Sequence, residues 1–197
     1  MSLPFPTLPL LLTIVLVGEL GLMRSRLSSD TARQADRGSL RMLFIVIFAS
    51  VGLAWITGRC FPQARFESLF QLGPTTLKCL FGGGLALFAA GVCLRWYSVA
   101  YLGRLFTYDV AIAADHRVID SGPYRCVRHP AYTGSLLTFV GIGICGGNVL
   151  ALLVLVTPIT LAFLRRIFIE EAALNAALGR GYSDYAGRTW RLLPFVF

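Results

Sequence analysis

The sequence predicts an all-α integral membrane protein with five transmembrane helices. Of the 197 residues, 56% are hydrophobic and only 14% are charged, and the mean hydropathy is +0.69. Soluble domains carry about 25% charged residues, so this deficit by itself indicates a membrane protein. The apolar segments are predicted to be helices, because a chain in lipid must satisfy its backbone polar groups internally and no alternating pattern suggests a barrel.

Five apolar segments approach or reach the roughly 20 residues that a membrane span needs. They cover about residues 4–23, 40–58, 76–102, 130–145 and a stretch that begins near Asn148. Only Gly146, Gly147 and Asn148 separate the fourth from the fifth, which predicts a tight helical hairpin. Arg24 and Arg26 follow the first segment instead of preceding it, so we interpret it as a retained span and not as a signal peptide.

The fifth segment keeps a helical pattern to about Leu178. From Asn148 this is about 31 residues, or roughly 46 Å at 1.5 Å per residue. A bilayer core is about 30 Å thick, so the end of this helix is predicted to extend some 15 Å beyond it. Pro158 is a point at which the helix can bend.

The arginine positions predict how the five spans are oriented. Arginines are abundant in the loops after the first and third spans and in the C-terminal segment, whereas the opposite side has only Arg59, Arg65 and Lys78. Because basic loops stay in the cytosol, the N-terminus is predicted to lie outside or in a lumen and the C-terminus in the cytosol. This flanking pattern explains the net charge of +8 without a nucleic-acid partner.

The chain is predicted to be one domain, residues 1–197, with three N-terminal spans in residues 1–102. The five cysteines form no C-x-x-C pair and no zinc-like spacing, so no metal is predicted. Glu19 and Arg95 fall inside predicted spans at similar depth. Because charges inside a membrane are usually paired or functional, an ion pair, snorkelling of both side chains and a catalytic role are the interpretations to compare.

Reactive polar side chains are concentrated in two places on the predicted cytosolic side. Both histidines, His116 and His129, lie in the loop between the third and fourth spans. The only adjacent acidic pair, Glu170–Glu171, follows Arg166, and Arg166 and Glu170 share one helix face. A surface ion pair on an amphipathic helix, and a basic aromatic anchor at the membrane interface, are the alternatives to a functional site.

Residues 122–134, GPYRCVRHPAYTG, predict a turn followed by the start of a helix. Gly-Pro favours the turn, and Pro130 suits the first helical position with His129 just before it. The free N–H groups at a helix start suit an anion. We therefore expect Tyr124, Arg128 and His129 at the mouth of the fourth span.

Four short motifs occur in order between about residues 103 and 194. They are R-H-P-x-Y-x-G, an arginine shortly before a Glu-Glu pair, L-x-x-x-x-G-x-x-Y-x-x-Y, and a terminal R-L-x-P. Each motif is weak alone, but the ordered set is specific and resembles the isoprenylcysteine carboxyl methyltransferase family. The N-terminal spans match that family only as apolar helices.

The resemblance implies a membrane enzyme that transfers methyl from S-adenosylmethionine to the carboxylate of a lipidic substrate, such as a C-terminal S-isoprenylcysteine, and releases S-adenosylhomocysteine. It implies that residues 103–197 are the catalytic region, with a cytosolic cofactor pocket formed by the 103–130 loop and the C-terminal helix, no metal and no Rossmann domain. The implied cofactor contacts are His116, Arg117, Val118, Ile119, Tyr124, His129 and Glu170. The implied catalytic residues are Glu170, which meets the cofactor's amino group, and Arg166, which binds the substrate carboxylate. A family glutamine upstream of His116 has no counterpart here.

This chemistry agrees with the residues present. A carboxylate has a reference pKa of about 4, so it is already ionised and its methylation needs no general base. The enzyme has to align the two reactants and exclude water. Arg166 can hold a carboxylate through two hydrogen bonds, and Glu170 can pair with an ammonium.

Three other functions are compatible with parts of the pattern. A phospholipid or small-molecule methyltransferase would share the architecture and the cofactor, but an amine nucleophile must lose a proton and favours an acidic partner over a lone arginine. A sterol-reductase-like enzyme would use NADPH and need more spans. A non-catalytic membrane protein would not bind S-adenosylmethionine.

Overall fold

The computed structural model describes residues 11–15, 17–19, 21, 38–106 and 118–197, and within these ranges it is helical, with isolated bridges but no strands. The predicted all-α class is therefore confirmed. Three helices are long: α1 (Ser39–Cys60), α3 (Pro74–Leu102) and α5 (Val149–Leu178). Three are shorter: α2 (Phe66–Phe70), α4 (Pro130–Cys145) and α6 (Arg180–Gly187). Short 3-10 turns occur at Pro62–Ala64, Gly103–Leu105 and Gly122–Arg125.

Three helical segments of the described chain are long and apolar enough to cross a membrane. They are α1, α3 with the turn after it (Pro74–Leu105), and α5, with mean hydropathies of 2.1, 1.9 and 2.0. Helix α4 is apolar but has only 16 residues, or about 24 Å, which is shorter than a bilayer core of about 30 Å. The first predicted span lies mostly outside the described residues, although residues 11–15, 17–19 and 21 are helical. The count of five spans therefore stays a prediction.

Helices α3 and α4 pack backbone against backbone through glycines. A Cβ added to Gly91 would lie 2.6 Å from the Gly134 carbonyl oxygen, and one added to Gly141 would lie 2.5 Å from that of Gly84. A Cβ on Gly134 would lie 2.6 Å from the backbone nitrogen of Arg95. Small residues allow this close approach of helices in membranes. The glycine of the R-H-P-x-Y-x-G motif, Gly134, therefore brings the start of α4 against α3.

Helix α5 packs against α1 and α4 around an apolar core that includes Phe139, Leu155, Ile159 and Phe163. Asn148 caps the start of α5, since its side-chain oxygen accepts a hydrogen bond from the Ala151 N–H at 2.9 Å. Its Nδ2 donates to the carbonyl of residue 61 at 2.9 Å, which fixes the connection between α4 and α5 against the end of α1.

The two charges that are predicted to lie inside spans, Glu19 and Arg95, form an ion pair. Arg95 donates through Nε and Nη2 to the Glu19 carboxylate, and its Nη1 donates to the Ala131 carbonyl at 3.4 Å. The side chains are 14% and 18% exposed, respectively. The ion-pair interpretation is thus confirmed, and the pair ties the N-terminal helical residues to α3 and to the first turn of α4.

The C-terminal segment returns to the start of α4 and pairs with it. The N–H groups of Arg128 and His129 donate to the carbonyls of Trp190 and Arg191 at 2.7 and 3.0 Å, and the Trp190 N–H donates to Cys126 at 2.9 Å. Thr133 Oγ1 donates to the Leu192 carbonyl at 2.7 Å. Helix α4 begins at Pro130 after His129, as predicted, and the returning chain fixes that start in place.

Candidate active site

A cavity of about 340 Å³ lies among α1, α3, α4, α5 and α6, within the range of about 300 to 1,000 Å³ that is typical of ligand sites. Part of its lining is polar and includes charged residues. The polar and charged lining residues include Glu19, Arg95, Tyr124, Arg128, His129, Tyr132, Arg166, Glu170, Tyr182 and Tyr185. The rest is largely apolar and includes Leu12, Val15, Phe44, Ile47, Phe48, Val51, Val92, Phe139 and Phe163. The cavity can therefore receive a ligand that has both a polar part and a hydrophobic part.

The predicted site residues within the described ranges all border this cavity. They are Val118, Ile119, Tyr124, His129, Arg166 and Glu170. His116 and Arg117 lie outside the described residues. Two clusters of the sequence thus meet at one cavity, although they lie about forty residues apart in the chain. They cover residues 118–129 and 166–170. The individual roles of these side chains stay predictions.

The phenol of Tyr132 stands between Arg166 and Glu170. Arg166 Nε donates to Tyr132 Oη at 2.8 Å, and Tyr132 Oη donates to Glu170 Oε2 at 3.1 Å. Arg166 is buried and also donates through Nη1 to Ser39 Oγ on α1 at 2.8 Å. Arg166 of α5 is therefore held in the cavity wall by hydrogen bonds that it donates to side chains of α1 and α4.

The neighbouring acid, Glu171, binds three basic side chains. Arg128 Nε and Arg191 Nε each donate to it at 2.9 Å, and His129 Nε2 lies 3.2 Å from Oε1. Arg128 Nη1 also donates to the carbonyls of Ala186, at 2.8 Å, and Thr189. Glu171 thus fixes the start of α4 and the returning C-terminal segment to α5.

Glu170 has a different environment from Glu171. Among the described residues, its one hydrogen bond comes from Tyr132 and no basic side chain pairs with it. A carboxylate at a cavity wall without a positive partner is poised to bind a cation from a ligand. The Glu-Glu pair is therefore divided into one acid that holds the fold and one that faces the cavity.

Three tyrosines outside the long helices line the same cavity. Tyr185 Oη donates to the Tyr124 carbonyl at 2.7 Å, and Tyr124 Oη donates to the Ser98 carbonyl at 3.3 Å. The Tyr182 hydroxyl is buried and has no hydrogen-bond partner in the described part of the chain. Burial raises the pKa of Tyr124, Tyr182 and Tyr185 well above the usual range, so all three stay neutral near pH 7.

Gly122 sets the turn that precedes the site. Its φ is +56°, and a Cβ there would lie 2.5 Å from the Tyr101 ring, so only glycine fits. The predicted Gly-Pro turn is present as the 3-10 turn Gly122–Arg125.

Sequence reasoning missed the roles of Tyr132, Glu171 and Arg191. Tyr132 and Arg191 were visible as letters of the motifs R-H-P-x-Y-x-G and R-L-x-P, and Glu171 as half of an acidic pair. The motif positions gave no sign that residues 190–191 pair with residues 128–129, and this pairing brings Arg191 to Glu171.

A family model described as "Phospholipid methyltransferase" matches residues 80–181, just over half of the chain. The chain belongs to the phospholipid methyltransferase family. The matched range contains the α3–α4 glycine packing, Tyr132, Arg166 and the Glu-Glu pair.

Named relatives of this family member confirm the predicted resemblance to isoprenylcysteine carboxyl methyltransferases. The "Probable protein-S-isoprenylcysteine O-methyltransferase" of Oryza sativa subsp. japonica is 34% identical over 115 residues, which is 57% of this chain and 60% of the relative. "Protein-S-isoprenylcysteine O-methyltransferase B" of Arabidopsis thaliana is 32% identical over 57% of this chain and 58% of its own. The match thus spans about three fifths of these relatives.

A solved structure has the same fold. It is described as the eukaryotic intramembrane Ras methyltransferase ICMT (isoprenylcysteine carboxyl methyltransferase). The TM-score is 0.63 at 26% identity, and the match covers 76% of this chain and 52% of the other. The family member described here is accordingly an integral membrane protein with an ICMT-like helical fold.

Proposed function

We propose that this chain transfers the methyl group of S-adenosylmethionine to the carboxylate of a lipidic substrate, such as a C-terminal S-isoprenylcysteine. One observation carries the proposal: a single cavity combines the buried Arg166, the Glu170 carboxylate and an extensive apolar lining. The printed names of the Oryza and Arabidopsis relatives support the same reaction.

The residues present fit S-adenosylmethionine. Glu170, which lacks a basic partner among the described residues, suits the cofactor's ammonium. Arg128 and His129, beside the first turn of α4, suit its carboxylate, and Val118 and Ile119 offer apolar contact. His116 and Arg117 complete the cofactor set by family resemblance. When bound, the cofactor supplies an activated methyl group, and S-adenosylhomocysteine is its product.

Arg166 is the proposed ligand of the substrate carboxylate, which a guanidinium binds well. Its hydrogen bonds to Tyr132 and Ser39 hold it in one orientation before the substrate arrives. The carboxylate is ionised near pH 7, so no side chain has to remove a proton. The apolar lining, with Phe44, Phe48 and Phe139, would receive the hydrophobic tail and exclude water from the carboxylate.

We also propose that the whole chain is one catalytic domain that crosses the membrane five times, with α4 and α5 as a tight hairpin. Residues 146–148 are the only residues between those two helices. The N-terminus would lie outside or in a lumen, and the cavity and C-terminus would lie on the cytosolic side, because arginines are abundant in the loops after the first and third predicted spans and in the C-terminal segment.

The test is transfer of a radiolabelled methyl group from S-adenosylmethionine to N-acetyl-S-farnesylcysteine by the detergent-purified protein. Arg166→Ala should abolish turnover while S-adenosylhomocysteine still binds, and Glu170→Ala should weaken that binding. Arg165→Ala is the matched control, since Arg165 is the exposed neighbour of Arg166 on the same helix. Loss of turnover and binding together in Arg166→Ala, or unchanged affinity in Glu170→Ala, would contradict the assigned roles.

A phospholipid methyltransferase is the second candidate, and the description of the matching family model favours it. The same assay with phosphatidylethanolamine as acceptor separates the two. Methyl transfer to the amine and none to the farnesylated carboxylate would replace the first proposal with the second.

A further inference from the structure

Arg166 and Glu170 are placed so that they could neutralise each other. Residues four apart on a helix bring an arginine and a glutamate within reach of a direct ion pair. In a cavity wall shielded from water the attraction between two such charges is larger than in bulk solvent, and a direct pair would occupy the guanidinium and the carboxylate with one another. Both groups are needed for ligands if the proposed function holds.

Tyr132 lies in the path of that ion pair. Its hydroxyl accepts a hydrogen bond from Arg166 Nε at 2.8 Å and donates one to Glu170 Oε2 at 3.1 Å. A phenol can do both at once because it carries one donor and two acceptor lone pairs. It is neutral as well, so it satisfies both charged groups without cancelling either charge.

The position of the Tyr132 ring is itself fixed. The ring lies 5.7 Å from the His129 ring and 5.1 Å from the Phe163 ring, measured between centroids. It stands in the first turn of α4, whose start is held by backbone hydrogen bonds to residues 190–191. The phenol is therefore an inflexible spacer presented by one helix to two residues of another.

We propose that Tyr132 is a positioning residue that keeps Arg166 and Glu170 from pairing directly, so that one binds the substrate carboxylate and the other the cofactor's ammonium. This inference rests on the proposed function. It assigns to Tyr132 the separation of two binding sites that lie one helical turn apart.

The test compares Tyr132→Phe with the double variant Tyr132→Phe/Glu170→Gln. Phenylalanine keeps the ring contacts but removes the spacer, so Arg166 and Glu170 should pair and the affinities for N-acetyl-S-farnesylcysteine and for S-adenosylhomocysteine should each fall about tenfold. Adding Glu170→Gln removes the charge that captures Arg166. The affinity for the farnesylated carboxylate should then return to within about threefold of wild type, while binding of S-adenosylhomocysteine stays weak.

A purely structural role for Tyr132 predicts the opposite, because a second substitution would not restore binding. A double variant that binds the farnesylated carboxylate as weakly as Tyr132→Phe therefore overturns the inference. Tyr185→Phe is the matched control, since it too removes one phenolic hydrogen bond beside the cavity. If Glu170→Gln also restored the affinity for the farnesylated carboxylate in a Tyr185→Phe protein, the effect would not be specific to Tyr132, and the inference would be overturned.

A second measurement needs no change at Tyr132. With the phenol in place, Arg166→Gln should alter the affinity for S-adenosylhomocysteine by no more than about twofold, because Arg166 does not act on Glu170 directly. A change of tenfold or more would overturn the inference even if Tyr132→Phe fails to fold. If the wild-type protein binds neither ligand, the proposed function and this inference are both overturned. If the wild-type protein binds both ligands but the effects of Tyr132→Phe and Glu170→Gln on affinity are additive, only this inference is overturned.

Discussion

The Glu171 carboxylate accepts a hydrogen bond from Arg128 Nε at 2.9 Å, across 43 residues of sequence. Arg191 and His129 reach the same carboxylate, so three segments that are distant in the chain meet at one acid. Its neighbour Glu170 contributes a carboxylate to the cavity instead. The two acids of one motif should therefore respond differently to the same substitution.

Glu171→Gln should destabilise the protein by about 3 kcal/mol or more, because it leaves the basic side chains around it partly buried without their counter-charge. Thermal unfolding in detergent measures this effect. Glu170→Gln should lower stability less and weaken S-adenosylhomocysteine binding more. Glu67→Gln, at an exposed position on α2, serves as the control and should change neither. If Glu170→Gln and Glu171→Gln destabilised the protein equally, the assignment of Glu171 to the fold and of Glu170 to ligand binding would be wrong.

Arg95→Met should destabilise the protein strongly, because it removes the guanidinium that pairs with the Glu19 carboxylate in a largely apolar region. The expected loss is about 3 kcal/mol. The double variant Arg95→Met/Glu19→Gln should recover much of it, since both charges are then absent. Thermal unfolding in detergent of Arg95→Met, Glu19→Gln and the double variant gives the coupling free energy between the two side chains. Strictly additive losses would argue that the ion pair contributes nothing.

Gly91→Ala and Gly141→Ala should each lower stability by about 1 to 3 kcal/mol, because an added methyl group would overlap backbone atoms of the facing helix. Gly82→Ala and Gly83→Ala, on the same helix as Gly91, are the controls, since a Cβ there would meet nothing within 4 Å. Melting temperatures in one detergent suffice for the comparison. Similar behaviour of all four variants would mean that α3 and α4 are not in backbone contact.

Tyr182→Phe should not lower the stability of the protein, whereas Tyr185→Phe should lower it. The Tyr182 hydroxyl is buried without a partner in the described chain, so removing it should leave stability unchanged or raise it slightly. The Tyr185 hydroxyl donates to the Tyr124 carbonyl at 2.7 Å, and its loss should cost about 1 to 2 kcal/mol. The ligand-free proteins are compared by thermal unfolding. A larger loss for Tyr182→Phe than for Tyr185→Phe would contradict the assignment.

Two exposed cysteines report the proposed orientation. Cys60 at the end of α1 is predicted to face outward, and Cys126 beside the cavity is predicted to face the cytosol. In variants that keep only one of them, produced in the plasma membrane of bacterial cells, a membrane-impermeant maleimide should label Cys60 on intact cells and Cys126 only after permeabilisation. Labelling of Cys126 on intact cells, and of Cys60 only after permeabilisation, would show that the orientation is the opposite of the one proposed.

The helix starts, and several of the described residues that line the cavity, could be predicted from the sequence. Apolar length and the R-H-P turn predict helix starts at 39, 74 and 130 to within two residues, because both are local properties of the chain. The Glu19–Arg95 pair was one of several interpretations, since similar depth does not specify which helix faces lie together. Tyr132 as the link between Arg166 and Glu170 depends on how α4 lies against α5, and no spacing within one segment encodes that relation.

The pairing of residues 128–129 with residues 190–191 also affects the order in which the parts of the structure form during synthesis. A ribosome makes Arg128 some sixty residues before the segment that completes its surroundings, and Arg191 reaches Glu171 only after that segment has emerged. The long helices can enter the membrane earlier, because each forms from local contacts. The cavity is therefore assembled last, and a nascent chain interrupted before Trp190 would be inserted in the membrane without a finished cavity.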